Sequence, residues 1–337
     1  MNLQKKINLS ERIFVAGARG MVGSSVCRML KLAGYGNPEL KGEILAPTKE
    51  ELNLTDSEAV KKWYEINNPS IVILAAAKVG GIYANSTFPA DFIYENLKIQ
   101  NNVIESSWKN NVKRFLFLGS SCIYPKFAQQ PINEDSLLTG PLEPTNEWYA
   151  ISKISGIKLC QALRLQYNFD AISLMPTNLY GTGDNYHAKN SHVMPSLIRK
   201  FSNAVKYSHD EVICWGTGEV YREFMHVDDL ARAIIFALEE WDPSSANSPK
   251  DNKNDPYTIL NVGTGKDIRI KDLVNIIASK TGFQGKITWD KSMPNGTPRK
   301  VLNIKKIKNL GWEPKVSLEI GIEKTIQEYQ KKYQIKI

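Results

Sequence analysis

The stretch RIFVAGARGMVGS, residues 12–24, decides the fold of this chain. From Ile13 to Ala16 it is continuously apolar, as a strand buried on both faces is. Gly17, Gly20 and Gly23 follow, and Val22, Val26, Met29 and Leu30 then recur at helical spacing toward Ala33. Glycines where a strand turns into a helix let backbone approach a pyrophosphate, and the helix N-terminus offers it free N–H groups and partial positive charge. These three glycines are therefore candidate dinucleotide-binding residues. Arg19, inside the turn, is a candidate partner for an adenosine 2′-phosphate.

Outward from that unit the chain alternates strands and helices. Glu43 to Ala46 reads as the second strand. NAD-binding chains place an acid at its end for the ribose hydroxyls. Here Pro47, Thr48 and Lys49 follow, which favours NADP, with Lys49 toward the 2′-phosphate. Thr55 or Asp56 caps a helix through Ile66, and Ile71 to Ala77 is a continuously apolar strand. Pro89 opens a helix to about Asn110, and Arg114 to Leu118 is the next strand. Glu147 to Tyr167 is then a helix and Ala171 to Met175 a strand. The alternation predicts an α/β fold: a Rossmann doubly wound parallel sheet with ligands at the carboxyl ends of its strands.

After Gly181 the pattern loosens, with helices at 193–205, 228–240 and 270–281 and a polar loop at 242–256. The expected division is a cofactor domain at 8–180, with segments near 226–262 returning to it. Residues 181–337 form a smaller, interleaved C-terminal substrate-binding domain.

A chain of 337 residues, 42% hydrophobic and 23% charged, can bury a large core and is not a disordered protein. The longest apolar run, Ile71 to Ala77, is far short of the roughly 18 residues of a membrane span. No signal peptide is evident, and Cys27, Cys122, Cys160 and Cys214 are widely spaced without a zinc pattern. A reduced cytoplasmic chain without a metal site is expected. The net charge of +8 is the unusual number. Nine lysines against four glutamates lie in residues 300–337, which also carry Ile322, Ile326, Tyr329 and Tyr333 on one helical stripe. A solvated basic face explains that better than nucleic acid does, because no paired aromatics accompany it.

The second chemical cluster is Ser120-Ser121-Cys122 after the fourth strand, with Tyr149 and Lys153 one helical turn apart. Spacing of i, i+4 puts the phenol and the ammonium on one face. The cation is expected to lower the phenol pKa, so that Tyr149 exchanges a proton with a substrate oxygen that Ser120 also holds.

These segments together resemble one family. GARGMVGS (17–24), LAAAKVGGI (74–82), PADFIYEN (89–96), LGSSCIYPK (118–126), EPTNEWYAISK (143–153), MPTNLYG (175–181), NSHV (190–193) and REFMHVDDLA (222–231) carry the likeness. The chain resembles the extended short-chain dehydrogenase/reductase family, within it the branch that acts on GDP-4-keto-6-deoxymannose. KVGG, SSCIYP and NSHV separate that branch from its epimerase and dehydratase relatives.

The resemblance implies a bifunctional enzyme, a 3,5-epimerase and NADPH-dependent 4-reductase. By it Tyr149 and Lys153 are the reductase pair, Ser120 the catalytic serine, and Cys122 and His192 the base and acid that invert C3 and C5. A 4-ketone acidifies hydrogens on both neighbouring carbons, so two groups that titrate near neutrality suit that work. Implied cofactor contacts are Gly17, Ala18, Arg19, Gly20, Met21, Val22 and Gly23; Leu118, Gly119, Ser120 and Ser121; Lys153; Pro176, Thr177, Asn178 and Leu179; and His192. Implied contacts to the GDP-sugar are Lys200, Trp215, Arg222, Arg299 and Lys300, cations for the diphosphate and an indole for an apolar ligand face. A homodimer paired through the helices from Pro89 and from Glu147 is implied too. Competing readings are a related GDP-4-keto heptose or dideoxyhexose substrate, and a non-catalytic dinucleotide sensor, which would lack the Tyr or the Lys.

Overall fold

The computed structural model describes residues 5–188, 190–293 and 295–335. Strand β1 (Arg12–Ala16) runs through the turn at 17–20 into α1 (Met21–Leu32). Then come β2 (Glu43–Leu45), α2 (Ser57–Asn67) and β3 (Ile71–Leu74). The Asp56 carboxylate caps α2, accepting from the backbone N–H of Glu58 and Ala59 at 3.1 Å each. The third strand is shorter than its apolar run, ending at Leu74. The KVGG segment instead leads into a short helix not foreseen from sequence, α3 (Ile82–Thr87), followed by α4 (Pro89–Lys109). Next come β4 (Arg114–Leu118), α5 (Glu147–Tyr167), β5 (Ala171–Pro176) and β6 (Asn178–Tyr180).

The remaining chain is α6 (Val193–Lys206), β7 (Glu211–Trp215), β8 (Tyr221–His226), α7 (Val227–Glu240), β9 (Ile259–Val262) and β10 (Asp267–Arg269). Five further elements close it: α8 (Ile270–Thr281), β11 (Lys286–Asp290), β12 (Arg299–Lys300), α9 (Lys305–Asn309) and α10 (Leu318–Lys332). His226 itself caps α7, its Nδ1 accepting from the Asp228 N–H at 3.2 Å.

Six strands form one parallel sheet in the order β2-β1-β3-β4-β5-β9. Helices α1 and α7 pack together, and α4 packs with both α2 and α5. The order reverses between β1 and β3, where an open α/β sheet places its ligand crevice. Sequence and sheet agree on the doubly wound α/β class, and the return of β9 shows the interleaving.

A second core gathers α6, α8 and α10 around Phe201, Ile277 and Ile322. Ile322, Ile326 and Tyr329 of the α10 stripe are buried, while Tyr333, past the helix end, is exposed and stacks on Tyr329 at 4.6 Å. Lys331 and Lys332 lie in the last turn of α10, where cations oppose the helix dipole.

One buried cation ties the sheet to its cover. Arg114 opens β4 and is 2% exposed; it pairs with Asp170 and donates to the carbonyl oxygens of Ala237 and Trp241. Asp170 also holds Arg164 at 2.6 Å.

Candidate active site

The glycine turn has the shape that a phosphate cradle requires. Gly17 has φ +87, and a side chain on it would stand 2.7 Å from the Ala76 backbone. A Cβ on Gly23 would reach the Gly17 carbonyl oxygen at 2.1 Å, so α1 packs on the turn only because that residue is glycine. Gly20 caps α1 without a side-chain hydrogen bond, and no acid occupies the first turn. The free N–H groups and uncompensated dipole fit the pyrophosphate of a dinucleotide. Arg19 and Lys49 are both exposed, and the charge of Arg19 is felt at Glu51 beyond the end of β2. The Glu51 carboxylate is itself engaged by the Thr48 N–H at 2.7 Å. Thr177 and Asn178 direct their side chains to the Glu223 carbonyl.

The second cluster, at the carboxyl end of the sheet, is built by β4 and α5. Ser120 leaves β4 in extended conformation and caps the turn Ser121–Ile123, its Oγ accepting from the Cys122 N–H at 3.2 Å. The turn is anchored from behind, since the buried Tyr124 hydroxyl donates to Asn261 of β9 at 2.6 Å. Ser120 also hydrogen-bonds the Tyr149 phenol, and Cys122 lies close enough for its charge to act on that phenol.

Lys153 departs from expectation. Its Nζ donates to the Leu118 carbonyl at 2.8 Å and lies 5.8 Å from the Tyr149 ring centroid. Burial lowers the ammonium to about 8, and it does not pull the phenol down. Burial, reinforced by the charge of Cys122, pushes the Tyr149 phenol up, and the Ser120 hydrogen bond offsets this only in part. The expected depression of Tyr149 is thus corrected: desolvation outweighs a cation held on another oxygen. A raised pKa keeps the phenol protonated, the form a proton donor needs.

Three further elements converge on Cys122. Its Sγ receives the Asn146 amide at 3.4 Å and the Lys300 ammonium at 3.5 Å. Arg222 of β8 feels the charges of both Cys122 and Glu143. Strand β12 pairs with β8 so that Lys300 lies beside Arg222. Its neighbour Arg299 is bound to Asp267 at 2.6 Å, so the adjacent Arg299 and Lys300 have separate partners.

His192 comes from yet another element, as the N-cap of α6. Gly81 holds its loop by donating to the Asn190 carbonyl at 3.2 Å. His192 is open to water on one side and walled by protein elsewhere, and that desolvation lowers its imidazole. Lys200 and Trp215 do meet: the ammonium donates to the Ile213 carbonyl at 2.7 Å and lies 5.5 Å from the Trp215 ring.

Sequence reasoning assigned no role to Asn146 or Glu223. An acid directly before Phe224 and Met225 was the available signal for Glu223, which is fully buried. Its carboxylate gathers the N–H groups of Thr264 (2.5 Å), Gly265 (2.7 Å) and Leu302 (2.8 Å), tying the turn before β10 and the residues after β12, the two strands that flank β8, to β8 itself.

A glycine-turned βα unit and a Ser-Tyr-Lys set at the carboxyl ends of a parallel sheet define a Rossmann-fold enzyme of the dinucleotide-dependent class. A model of the NAD dependent epimerase/dehydratase family matches residues 13–261, and the chain belongs to that family. It is 51% identical to GDP-L-fucose synthase 1 of Arabidopsis thaliana, over 96% of this chain and 94% of that protein. It is 48% identical to GDP-L-fucose synthase of Escherichia coli (strain K12), over 94% of this chain and 96% of that protein. Among solved structures, MlghC, the GDP-mannoheptose C4 reductase from Campylobacter jejuni with NADP bound, is similar at TM-score 0.83 and 34% identity. That match covers 96% of this chain and 99% of the other.

Proposed function

We propose that this chain epimerises GDP-4-dehydro-6-deoxy-D-mannose at C3 and C5 and reduces C4 with NADPH, yielding GDP-L-fucose. The relatives of that name support it, at about half identity over nearly the whole chain. The observation that carries it is the single thiol, Cys122, placed beside the Ser120–Tyr149 pair and fed by two hydrogen-bond donors. A simple reductase has no use for such a thiol.

The turn from Gly17 through Ala18, Arg19, Gly20, Met21 and Val22 to Gly23 would hold the pyrophosphate, with Arg19 and Lys49 at the 2′-phosphate. Leu118 to Ser121, Lys153, Pro176 to Leu179 and His192 would line the nicotinamide end. When bound, NADPH supplies the hydrogen and electron pair that reduce the C4 ketone. Cys122 takes a proton from a carbon next to the ketone and His192 returns one to the opposite face. Tyr149, kept protonated by burial, gives its proton to the C4 oxygen while Ser120 holds that oxygen. Lys200, Trp215, Arg222 and Lys300 bind the GDP-sugar, and the buried, unpaired Oδ1 of Asn146 accepts from a sugar hydroxyl. Arg299, bound to Asp267, falls outside this set.

The cofactor part is residues 8–180 with the returning segments near 226–262, and the rest serves the sugar nucleotide. The active form is a homodimer joined through α4 and α5 in the cytoplasm, to be checked by light scattering. Among the described residues no helix is long and apolar enough to cross a membrane.

The test is incubation with GDP-4-dehydro-6-deoxymannose and NADPH or NADH, following absorbance loss and product stereochemistry. Oxidation of neither cofactor would sink the reductase reading. Full C3 and C5 deuterium uptake from solvent by Cys122→Ser would sink the epimerase base. The likeness to a GDP-mannoheptose C4 reductase favours one second reading, reduction of a GDP-4-keto heptose, and the same assay with that sugar decides it.

A further inference from the structure

We infer that Lys300 is a positioning residue for epimerisation, whose ammonium, together with the Asn146 amide, holds Cys122 as the anion that removes the ring proton. The inference rests on the reading of Cys122 as the epimerase base. It adds to Lys300 a task that diphosphate binding does not require.

The geometry is specific. In β12 the side chains of Arg299 and Lys300 go to different partners: Arg299 is spent on Asp267 at 2.6 Å, while Lys300 reaches Cys122 Sγ at 3.5 Å. Pairing with Arg222 and the grip of the Glu223 carboxylate on the Leu302 N–H set the position of the strand. Asn146, just ahead of α5, points its amide at the same sulfur at 3.4 Å. Two donors on one sulfur match a thiolate, which accepts hydrogen bonds and is the reactive form of cysteine.

The surrounding charges agree. Arg222 from β8 adds a second cation within reach of Cys122. Tyr149 from α5 opposes an anion only if it is itself ionised, and burial keeps it protonated. Glu143, the carboxylate lining the pocket with Cys122 and Lys300, is held by Lys126 at 3.0 Å and by the Thr297 hydroxyl at 3.3 Å. The balance of charge facing the sulfur is positive.

In the step itself the thiolate takes a proton from a carbon adjacent to the C4 ketone. The C–H pair becomes a C=C bond and the carbonyl π pair moves onto the C4 oxygen. Sulfur ends as thiol, and Lys300 keeps its own protons throughout.

The experiment titrates Cys122 in the substrate-free protein by its rate of iodoacetamide alkylation against pH, with the modified peptide identified by mass. Lys300→Met is expected to move that profile up by about one pH unit, a roughly tenfold slower reaction at pH 7, and Lys300→Arg to restore most of it. Deuterium uptake at saturating substrate should fall in parallel and recover at alkaline pH. A role confined to phosphate binding changes KM and leaves the substrate-free profile in place, so an unmoved profile in Lys300→Met overturns the inference. Should that variant melt below the assay temperature, Lys300→Gln removes the same charge and carries the same expectation. A moved profile combined with full deuterium uptake in Cys122→Ser would keep the pair and remove the base assignment, so the two failures are separable.

Discussion

Lys153 Nζ donates to the Leu118 carbonyl oxygen at 2.8 Å, buried among β4 and α5, and lies 5.8 Å from the ring centroid of Tyr149 one turn before it. The folded chain thus holds a desolvated ammonium that ionises near 8, against 10.5 in the open. Below pH 8 folding forces that cation out of water. Above it the folded state binds fewer protons than the unfolded state, so stability rises from pH 8 to about 10.5. The difference corresponds to about 3 kcal/mol at neutral pH. Lys153→Met removes it and strands the Leu118 carbonyl, which costs about 1 kcal/mol. The variant should be inactive in reduction yet about 1–2 kcal/mol more stable at pH 7 by urea unfolding, with the advantage shrinking at pH 9.5. An advantage that does not change with pH would contradict this account.

Gly23 and Gly20 make a contrasting pair. A methyl group on Gly23 meets three backbone atoms within 2.7 Å, whereas on Gly20 its nearest neighbour is at 3.4 Å. Gly23→Ala should therefore cost about 3 kcal/mol and weaken NADPH binding at least tenfold, read by thermal melting and cofactor fluorescence. Gly20→Ala should be tolerated in stability. Equal effects at the two positions would show that close packing is not what these glycines provide.

Gly81 reaches His192 indirectly. Its N–H donates to Asn190, and a Cβ there would press the Ser191 carbonyl oxygen at 2.7 Å, one residue before His192. Gly81→Ala should lower the maximal rate of deuterium uptake about tenfold through misplacement of His192, at a stability cost of about 1–3 kcal/mol because the crowded atom is backbone. An NMR exchange assay that finds the wild-type rate would refute the link.

Asp170 balances the buried Arg114 guanidinium. Asp170→Ala leaves that cation uncompensated and should cost about 3–5 kcal/mol, while Arg114→Met in the same background should recover part of the loss. Denaturant curves of the two single variants and the double variant measure the coupling; purely additive losses would mean the pair is not a unit.

Much of this was open to reading along the chain because its causes are local. The buried strand at 114–118, the helix at 147–167 and the helix at 270–281 follow from side-chain periodicity, which neighbouring residues set on their own. The glycine turn follows from steric limits within seven residues. The Tyr149–Lys153 spacing likewise places two groups on one helix face, and α5 bears that out.

What the sequence did not decide is where those groups point. Lys153 turns to Leu118 because burial and a free carbonyl oxygen settle the orientation of an ammonium, and neither is visible in a spacing of four. The split between Arg299 and Lys300 required knowing that two residues form a strand, and β12 exists only because β8 lies alongside. Cys122 and Lys300 are 178 positions apart, and Glu223 grips backbone 41 and 79 positions away. The sequence alone determined the doubly wound frame and the glycine turn that opens it, since period and turn chemistry act over a few residues. The tertiary structure alone decided which charge faces which, because desolvation and Coulomb interactions depend on distance in space and not along the chain.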